Sequence, residues 1–268
     1  MAYLKIKDIT VYYEIHGKGT PLILITGLGG TCDTFRTILN VLARHYQVIL
    51  FDNRGSGRTT VTEETYSTKQ MADDVYELIL KLNLNKPDIL GYSMGGYIAQ
   101  ELVLAYPDSV NRVILSNTMA ENNYRNYHLI KSLSLMYRQN VDIKLINRFF
   151  AHFLYSNKFI SDKENFDLLM EFVDNYPYAI TAEGFINQAE ACMNHNALAR
   201  LSNVENEVLV ISGAKDFMIP LEESEKMFRQ LTNSTHVVMK DIAHAPMLEN
   251  RSEYSSLILK FLNKKEMV

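Results

Sequence analysis

Cysteine is scarce in this chain: two residues in 268, Cys32 and Cys192, standing far apart. That spacing excludes a disulfide-stapled scaffold and offers no metal-ligand cluster, so both are expected as free thiols in a reducing compartment. Basic charge is short as well, with 27 Lys and Arg against 31 Asp and Glu and a formal net charge of −4. A chain with no basic surplus lacks the electrostatic footprint of a nucleic-acid or anionic-membrane partner. The one short basic run, Lys264-Lys265, reads as a solvated tail. No apolar stretch approaches the roughly 20 residues that span a bilayer, and the first residues, among them Lys5, Lys7 and Asp8, carry no apolar signal core. The expectation is a cytoplasmic globular protein, monomer or homodimer, whose partner is a small molecule. Its 47% hydrophobic and 22% charged residues suit such a chain.

Apolar residues are distributed in two rhythms. Residues 2–16 alternate apolar and polar, broken at Lys7-Asp8, which predicts a hairpin of half-exposed strands. Pro21 to Thr26, Gln47 to Phe51, the run before Ser93 and Arg112 to Ser116 are instead continuous apolar runs, expected of strands buried on both faces. Helical spacing separates them, as in Phe35, Ile38, Leu39 and Leu42, or Met71, Val75, Leu78, Ile79 and Leu82. Strand and helix in alternation predict βαβ units and a parallel sheet. The rhythm stops near Asn117, gives way to amphipathic helical segments, and resumes with strands around 207–211 and 236–239 and a helix over 252–262. The chain is therefore read as a core of residues 1–119 and 204–268 with a helical insertion, 120–203.

The stretch Gly91-Tyr92-Ser93-Met94-Gly95 fits G-x-S-x-G, with an apolar run before it and a helical pattern after it. In that context the serine sits on a sharp strand-to-helix turn that exposes its hydroxyl. A serine hydroxyl attacks a carbonyl only with a histidine base, and the base needs an orienting carboxylate. The chain order in this architecture is serine, acid, histidine. Downstream, one strand ends in Gly213-Ala214-Lys215-Asp216 and the next leads into Asp241-Ile242-Ala243-His244. Asp216 and His244 thus fall at the carboxyl edge of a parallel sheet, where such folds place their sites.

Asp241 remains a rival for the acid, although it is close to His244 in one loop. Asn117, at the alternative acid position, carries no charge for the task. The other histidines read as surface or locally satisfied groups, with His128 and His195 kept as candidates to line the pocket from above. An oxyanion hole needs two donors; these are assigned to the N–H groups of Met94, after the nucleophile, and of Leu28, in Gly27-Leu28-Gly29. Asp52 to Gly57 has a mild phosphate-loop look but lacks the Lys-Ser/Thr ending, and a structural loop held by Asp52 and Arg54 is preferred.

Gly27-Leu28-Gly29, Asp52-Asn53-Arg54-Gly55, Gly91 to Gly96, Gly213 to Asp216 and His244-Ala245-Pro246-Met247 together resemble, in order, the signposts of the α/β-hydrolase superfamily. The resemblance covers nearly the whole chain outside the insertion. It implies an eight-stranded, mostly parallel sheet with helices on both faces and a helical cap between strands six and seven. It also implies catalysis without a cofactor; and, independently of the resemblance, no set of His, Asp, Glu or Cys residues has metal-ligand spacing. Within that superfamily the chain looks like the group of enol-lactonases, cofactor-free haloperoxidase-type esterases, carbon–carbon bond hydrolases and proline iminopeptidases. Departures narrow it. Thr26 stands where His is usual before the loop glycine; Tyr92 replaces the Asn of carbon–carbon hydrolases; Tyr97 replaces the Arg of menaquinone-pathway relatives. Ser93 argues against dehalogenases and epoxide hydrolases, which use Asp.

The insertion is rich in Phe and Tyr, part of it the insertion's own core, and collectively it favours an apolar or aromatic substrate portion. Tyr92 and Tyr97 are expected to touch substrate. The reading is a serine esterase or lactonase acting on a small carboxylic ester. Its rivals are an aminopeptidase using Glu183 or Glu190 to bind an amine, although a solvated helix face is the preferred reading of that pair, a carbon–carbon hydrolase, and a ligand receptor on the same fold.

Overall fold

The apolar runs assemble into one eight-stranded sheet in the computed structural model, which describes residues 2–263. Lys264-Lys265 lies outside the described residues. β1 (Ala2–Ile6) and β2 (Ile9–His16) form the expected antiparallel hairpin, and β2 joins β4 (Gln47–Phe51) antiparallel. β3 (Pro21–Ile25), β4, β5 (Asp88–Tyr92), β6 (Val113–Ser116), β7 (Val208–Gly213) and β8 (Ser234–Met239) pair in parallel. The order is β1-β2-β4-β3-β5-β6-β7-β8.

α1 (Arg36–Leu42), α2 (Thr68–Lys81) and α3 (Met94–Ala105) connect β3 to β6. Between β6 and β7 lie α4 (Tyr124–Arg138), α5 (Ile143–Leu154), α6 (Asn157–Ser161), α7 (Lys163–Asp174) and α8 (Ala182–Met193). α9 (Leu221–Gln230), α10 (Pro246–Glu249) and α11 (Arg251–Leu262) complete the chain. α1 packs with α10 and α11, while α2 packs with α3.

The continuous runs are explained by this double cover. Along β3, Leu22 and Leu24 enter the core shared with Ile38 and Ile258, whereas Ile23 and Ile25 enter the core shared with Val75 and Ile98. Both faces are dry, so neither needs a polar residue and the alternation seen in β1 disappears. Truncating any of these fully buried side chains to Ala is worth about 2–5 kcal/mol.

The helices of the inserted block are delimited by caps. Asn123, Asp142, Ser156, Asp162 and Thr181 each accept a hydrogen bond from a first-turn N–H of α4, α5, α6, α7 and α8 respectively, each worth about 1 kcal/mol. After α8 a 3-10 turn, Leu198–Asn203, already packs against α3 and α9 of the core. No helix among the described residues is long and apolar enough to cross a membrane.

Strand order places the site. From β3 the chain moves outward to β4, then crosses back to β5 on the other side of β3. The loops leaving β3 and β5 therefore diverge, and the crevice between their carboxyl ends is where an α/β sheet offers room for a ligand. Ser93 follows β5 and Leu28 follows β3.

Candidate active site

Ser93 occupies the turn between β5 and α3 with φ 54° and ψ −121°, a region that L side chains rarely adopt. Such a conformation costs about 1–3 kcal/mol and persists only where neighbours enforce it. Here the Ser93 N–H donates to Ser116 O at 3.0 Å, and Ser93 O accepts from Gly96 N and from the Thr118 hydroxyl, both at 2.8 Å. The glycines allow the tight approach. A Cβ on Gly95 would drive into the carbonyl oxygen of Ile25, and one on Gly91 into that of Gly95.

His244 and Asp216 meet Ser93 in series. His244 Nε2 lies 3.0 Å from Ser93 Oγ, and His244 Nδ1 lies 2.8 Å from Asp216 Oδ2. A carboxylate only accepts, so Nδ1 carries the ring proton and Nε2 faces the hydroxyl with its lone pair. Both groups are buried, His244 at 2% and Asp216 at 7% exposure, which shields the pair from competing water. Asp216 Oδ1 accepts from the N–H groups of Met218 and Ile219 at 2.9 and 2.8 Å. Asp241 is exposed and lies outside this series.

Asn117, set aside as an acid for want of charge, belongs to the site in another way. With φ 48°, it turns its amide inward, donating to Asp216 Oδ2 at 3.0 Å and to Ala243 O at 2.9 Å. Its Oδ1 accepts from Ser116 Oγ, which accepts from Tyr254 OH, each at 3.0 Å. The His244 loop is also stitched to the inserted helices: His244 N donates to Leu154 O at 3.0 Å. Glu249 takes the N–H groups of Ala243 at 3.1 Å and Ser156 at 3.3 Å, and burial raises its carboxyl above the usual range.

Leu28 and Met94 both line the cavity that holds Ser93. Met94 opens α3, and a helix's first N–H groups have no intrahelical acceptor and sit at the positive end of its dipole. The Leu28 loop is fixed from two sides. Asn53 Nδ2 donates to Thr26 O at 3.0 Å, and Gly29 N donates to Gln188 Oε1 of α8 at 2.9 Å. Gln188, fully buried, also donates to Arg54 O at 2.9 Å. Asn117 was marked only by its place after β6, and Gln188 belongs to no sequence motif.

The cavity over Ser93 measures about 820 Å³ and is roofed by the inserted helices. Tyr92 and Tyr97 line it, and burial pushes both phenols well above their ordinary range, leaving neutral O–H groups. From the insertion come Tyr137, Tyr155, Phe150, Phe172 and Phe185. Phe149 and Tyr124, on the same helices, point outward instead and are exposed.

Three alternatives kept open for the lining are not met, and the blander reading of each stands. His195 is not in the lining; it is buried behind Tyr97, stacked at 4.4 Å between ring centroids, with Nδ1 at 3.0 Å from the Thr68 hydroxyl. His128 sits on α4 against Tyr124 and Tyr127, also outside the lining. Glu183 and Glu190 lie on the solvent face of α8 because its other face is taken by Phe185, Gln188 and Cys192.

Both cysteines are buried free thiols. Glu14 and the adjacent pair Cys32-Asp33 bring ligand-type atoms within 4.8 Å of one another. The site does not suit a metal: Arg36 is bonded to Glu14 and Asp33, and Arg58 to Asp33. Two guanidinium groups already neutralise the carboxylates, and burial with three carboxylates nearby raises the Cys32 thiol far above its usual range. The Asp52–Arg58 loop is held as expected, Asp52 by Arg58 and the Cys32 N–H, Arg54 by Asp74 and Asp8.

Known proteins resemble this chain in sequence and fold. RutD of Yersinia enterocolitica, provisionally named a carbamate hydrolase, is 25% identical over 260 residues, covering 94% of this chain and 92% of RutD. BpoC of Mycobacterium tuberculosis, provisionally named a non-heme bromoperoxidase, is 28% identical over 257 residues, covering 94% of this chain and 97% of BpoC. Among solved structures, the enol-lactonase of Burkholderia xenovorans LB400 superposes with a TM-score of 0.90 at 19% identity, covering 98% of this chain and all of that one. At that identity the likeness is one of fold. The sequence profile of the family described as alpha/beta hydrolase fold matches residues 20–251, and the chain belongs to that family.

Proposed function

We propose that this protein is a serine hydrolase that cleaves a carboxylic ester or lactone through an acyl-enzyme. The observation that carries the reading is the unbroken series Ser93 Oγ, His244, Asp216, at 3.0 and 2.8 Å, on the floor of a cavity. His244 Nε2 takes the hydroxyl proton as Ser93 Oγ bonds to the carbonyl carbon. The N–H groups of Leu28 and Met94 hold the oxyanion, and the Asp216 carboxylate stabilises the imidazolium. Collapse of the intermediate breaks the bond to the alkoxy oxygen, which leaves with the proton from Nε2. Water then adds to the acyl-enzyme, giving its proton to Nε2, and the acid departs as the proton returns to Ser93.

In this reading residues 120–203 act as a cap over the site, and the two buried free thiols suit a cytoplasmic enzyme. RutD's name supports hydrolysis on a related scaffold. The aminopeptidase rival loses its amine-binding acids, since Glu183 and Glu190 are outside the cavity lining. A receptor on the same fold would bind without turning over.

Labelling with a fluorophosphonate probe tests the proposal, together with turnover of p-nitrophenyl esters. The expected result is a single adduct on Ser93 and multiple turnovers, both lost in Ser93→Ala. What turnover the oxyanion hole alone sustains would then lie up to about six orders of magnitude below the native rate. Folded protein that never labels at Ser93 overturns the reading.

A further inference from the structure

We infer that the substrate is uncharged and carries a bulky apolar portion, and that esters bearing a free carboxylate are excluded. The inference rests on the hydrolase reading above and specifies what that site accepts. Size is the first ground. A cavity of about 820 Å³ is in the range of pockets, roughly 300–1,000 Å³, that bury drug-sized ligands. A short-chain ester leaves most of it unfilled and the aromatic walls uncovered.

Charge is the second ground. Apart from His244, Arg36 and Asp33 are the ionisable acid and base groups of formal charge in the lining, at the edge formed by the turn before α1. Neither is available. Arg36 grips both oxygens of Glu14 at 2.6 Å and Asp33 Oδ1 at 2.7 Å. Asp33 in turn accepts from Arg58 at 3.3 Å and from the Tyr176 hydroxyl of the cap. Glu14 is further occupied by Tyr12 and His16, and Arg58 by Asp52.

The guanidinium that faces the cavity is thus already paired with two carboxylates, and the carboxylate beside it already accepts from two guanidinium groups and a phenol. An ammonium or carboxylate on the substrate would be desolvated with no partner to compensate it, which strongly disfavours binding. An apolar chain meets no such penalty. The same arrangement acts on the reaction's product: the carboxylate released by deacylation finds no cation to hold it.

Two pairs of esters test this. p-Nitrophenyl octanoate and acetate differ in apolar bulk; p-nitrophenyl butyrate and the p-nitrophenyl monoester of succinate differ by a terminal carboxylate that stays inside the cavity. We expect kcat/KM at least about tenfold higher for octanoate than acetate, and at least about a hundredfold higher for butyrate than the succinate monoester. Binding of the same esters to Ser93→Ala, measured by calorimetry, should follow the same order without turnover. Preference for acetate or for the succinate monoester, with Ser93 still labelled, overturns the substrate class and leaves the hydrolase reading intact. Tight binding of octanoate to Ser93→Ala with no turnover by the native chain supports the cavity reading and overturns the hydrolase. Asp33→Asn should narrow the butyrate-to-succinate ratio; an unchanged ratio removes this charge cluster as its cause.

Discussion

The amide of Asn117 hydrogen-bonds to the same oxygen of Asp216 that receives His244 Nδ1, at 3.0 and 2.8 Å respectively. Its second hydrogen goes to Ala243 O, next to His244 in the chain. One side chain therefore sets the separation of acid and base. Replacing it with Ala leaves Asp216 Oδ1 held by two backbone N–H groups but frees Oδ2 and the His244 loop to shift. Misplacement of about 1 Å can cost about 10²-fold in rate. Asn117→Ala is expected to lower kcat about 10- to 100-fold with KM nearly unchanged, and to lose about 1–3 kcal/mol of stability from the orphaned buried partners. Steady-state kinetics and urea unfolding on one preparation read both.

Asp216 and Asp241 differ in burial and partners, and this separates them as candidates for the acid. Asp216 is 7% exposed and bonded to His244, whereas Asp241 is exposed on the same loop as His244. Asp216→Asn keeps the shape but offers Nδ1 no anion and permits the wrong tautomer, which costs about 10⁴-fold in kcat in the serine-protease case. Asp241→Asn should stay within about twofold. Ester hydrolysis by the two variants, compared at one pH, decides the order; equal losses would return Asp241 to the site.

Two glycines near the site should respond differently to a methyl group. At Gly95 a Cβ meets the backbone carbonyls of Ile25 and Thr26, which cannot move without shifting β3. At Gly29 the nearest atoms are 3.6 Å away or more, so only its φ of 72° opposes a side chain. Gly95→Ala is expected to lose about 3 kcal/mol, and Gly29→Ala about 1–2 kcal/mol from left-handed strain. Chemical denaturation of both variants should reproduce that ranking, and an equal loss would mean that β3 yields to the methyl group.

Much of this site was legible because its chemistry demands particular residues in a particular order. The elbow needs glycines where backbones touch, so Gly91 and Gly95 announced Ser93. Buried strands need apolar runs, so the end of β7 located Asp216, and the shorter apolar run of the edge strand β8 located His244. The helical insertion was less readable. Periodicity tells which residues share a helix face, but not whether that face meets core, cavity or solvent. Phe150 lines the cavity while its neighbour Phe149 is 42% exposed. Asn117 and Gln188 act through single amides whose partners lie 99 and 159 residues away, and no local pattern encodes a contact of that range. The Glu14–Asp33–Arg36–Arg58 cluster joins a strand, the turn before α1 and a later loop, with pairs 22 and 25 residues apart, which is why charge in the cavity could not be read from composition.

His195 gives the stability of the fold a pH dependence of known direction. Burial, with a smaller contribution from the Arg200 charge, lowers its pKa from 6.5 to about 3. Glu101 stands 3.7 Å from Nδ1, but its charge is taken up by Arg200 at 2.5 and 2.9 Å, so it does little to hold a proton on the ring. Between pH 6.5 and about 3 the unfolded chain binds a proton at this residue that the native state refuses. The contribution of His195 is therefore complete above pH 6.5 and is lost as pH falls, by up to about 1.4 kcal/mol for each unit. Other groups titrate in the same window, among them Glu249 and Asp74, whose raised carboxyl values act in the opposite direction. The comparison is therefore between the native chain and His195→Gln, which keeps a polar side chain against Thr68 but cannot be protonated. Urea unfolding at pH 7, 6 and 5 should show the native chain losing stability faster than the variant below pH 6.5. Parallel curves would mean that the imidazole is protonated inside the folded core, in contact with the Glu101 carboxylate.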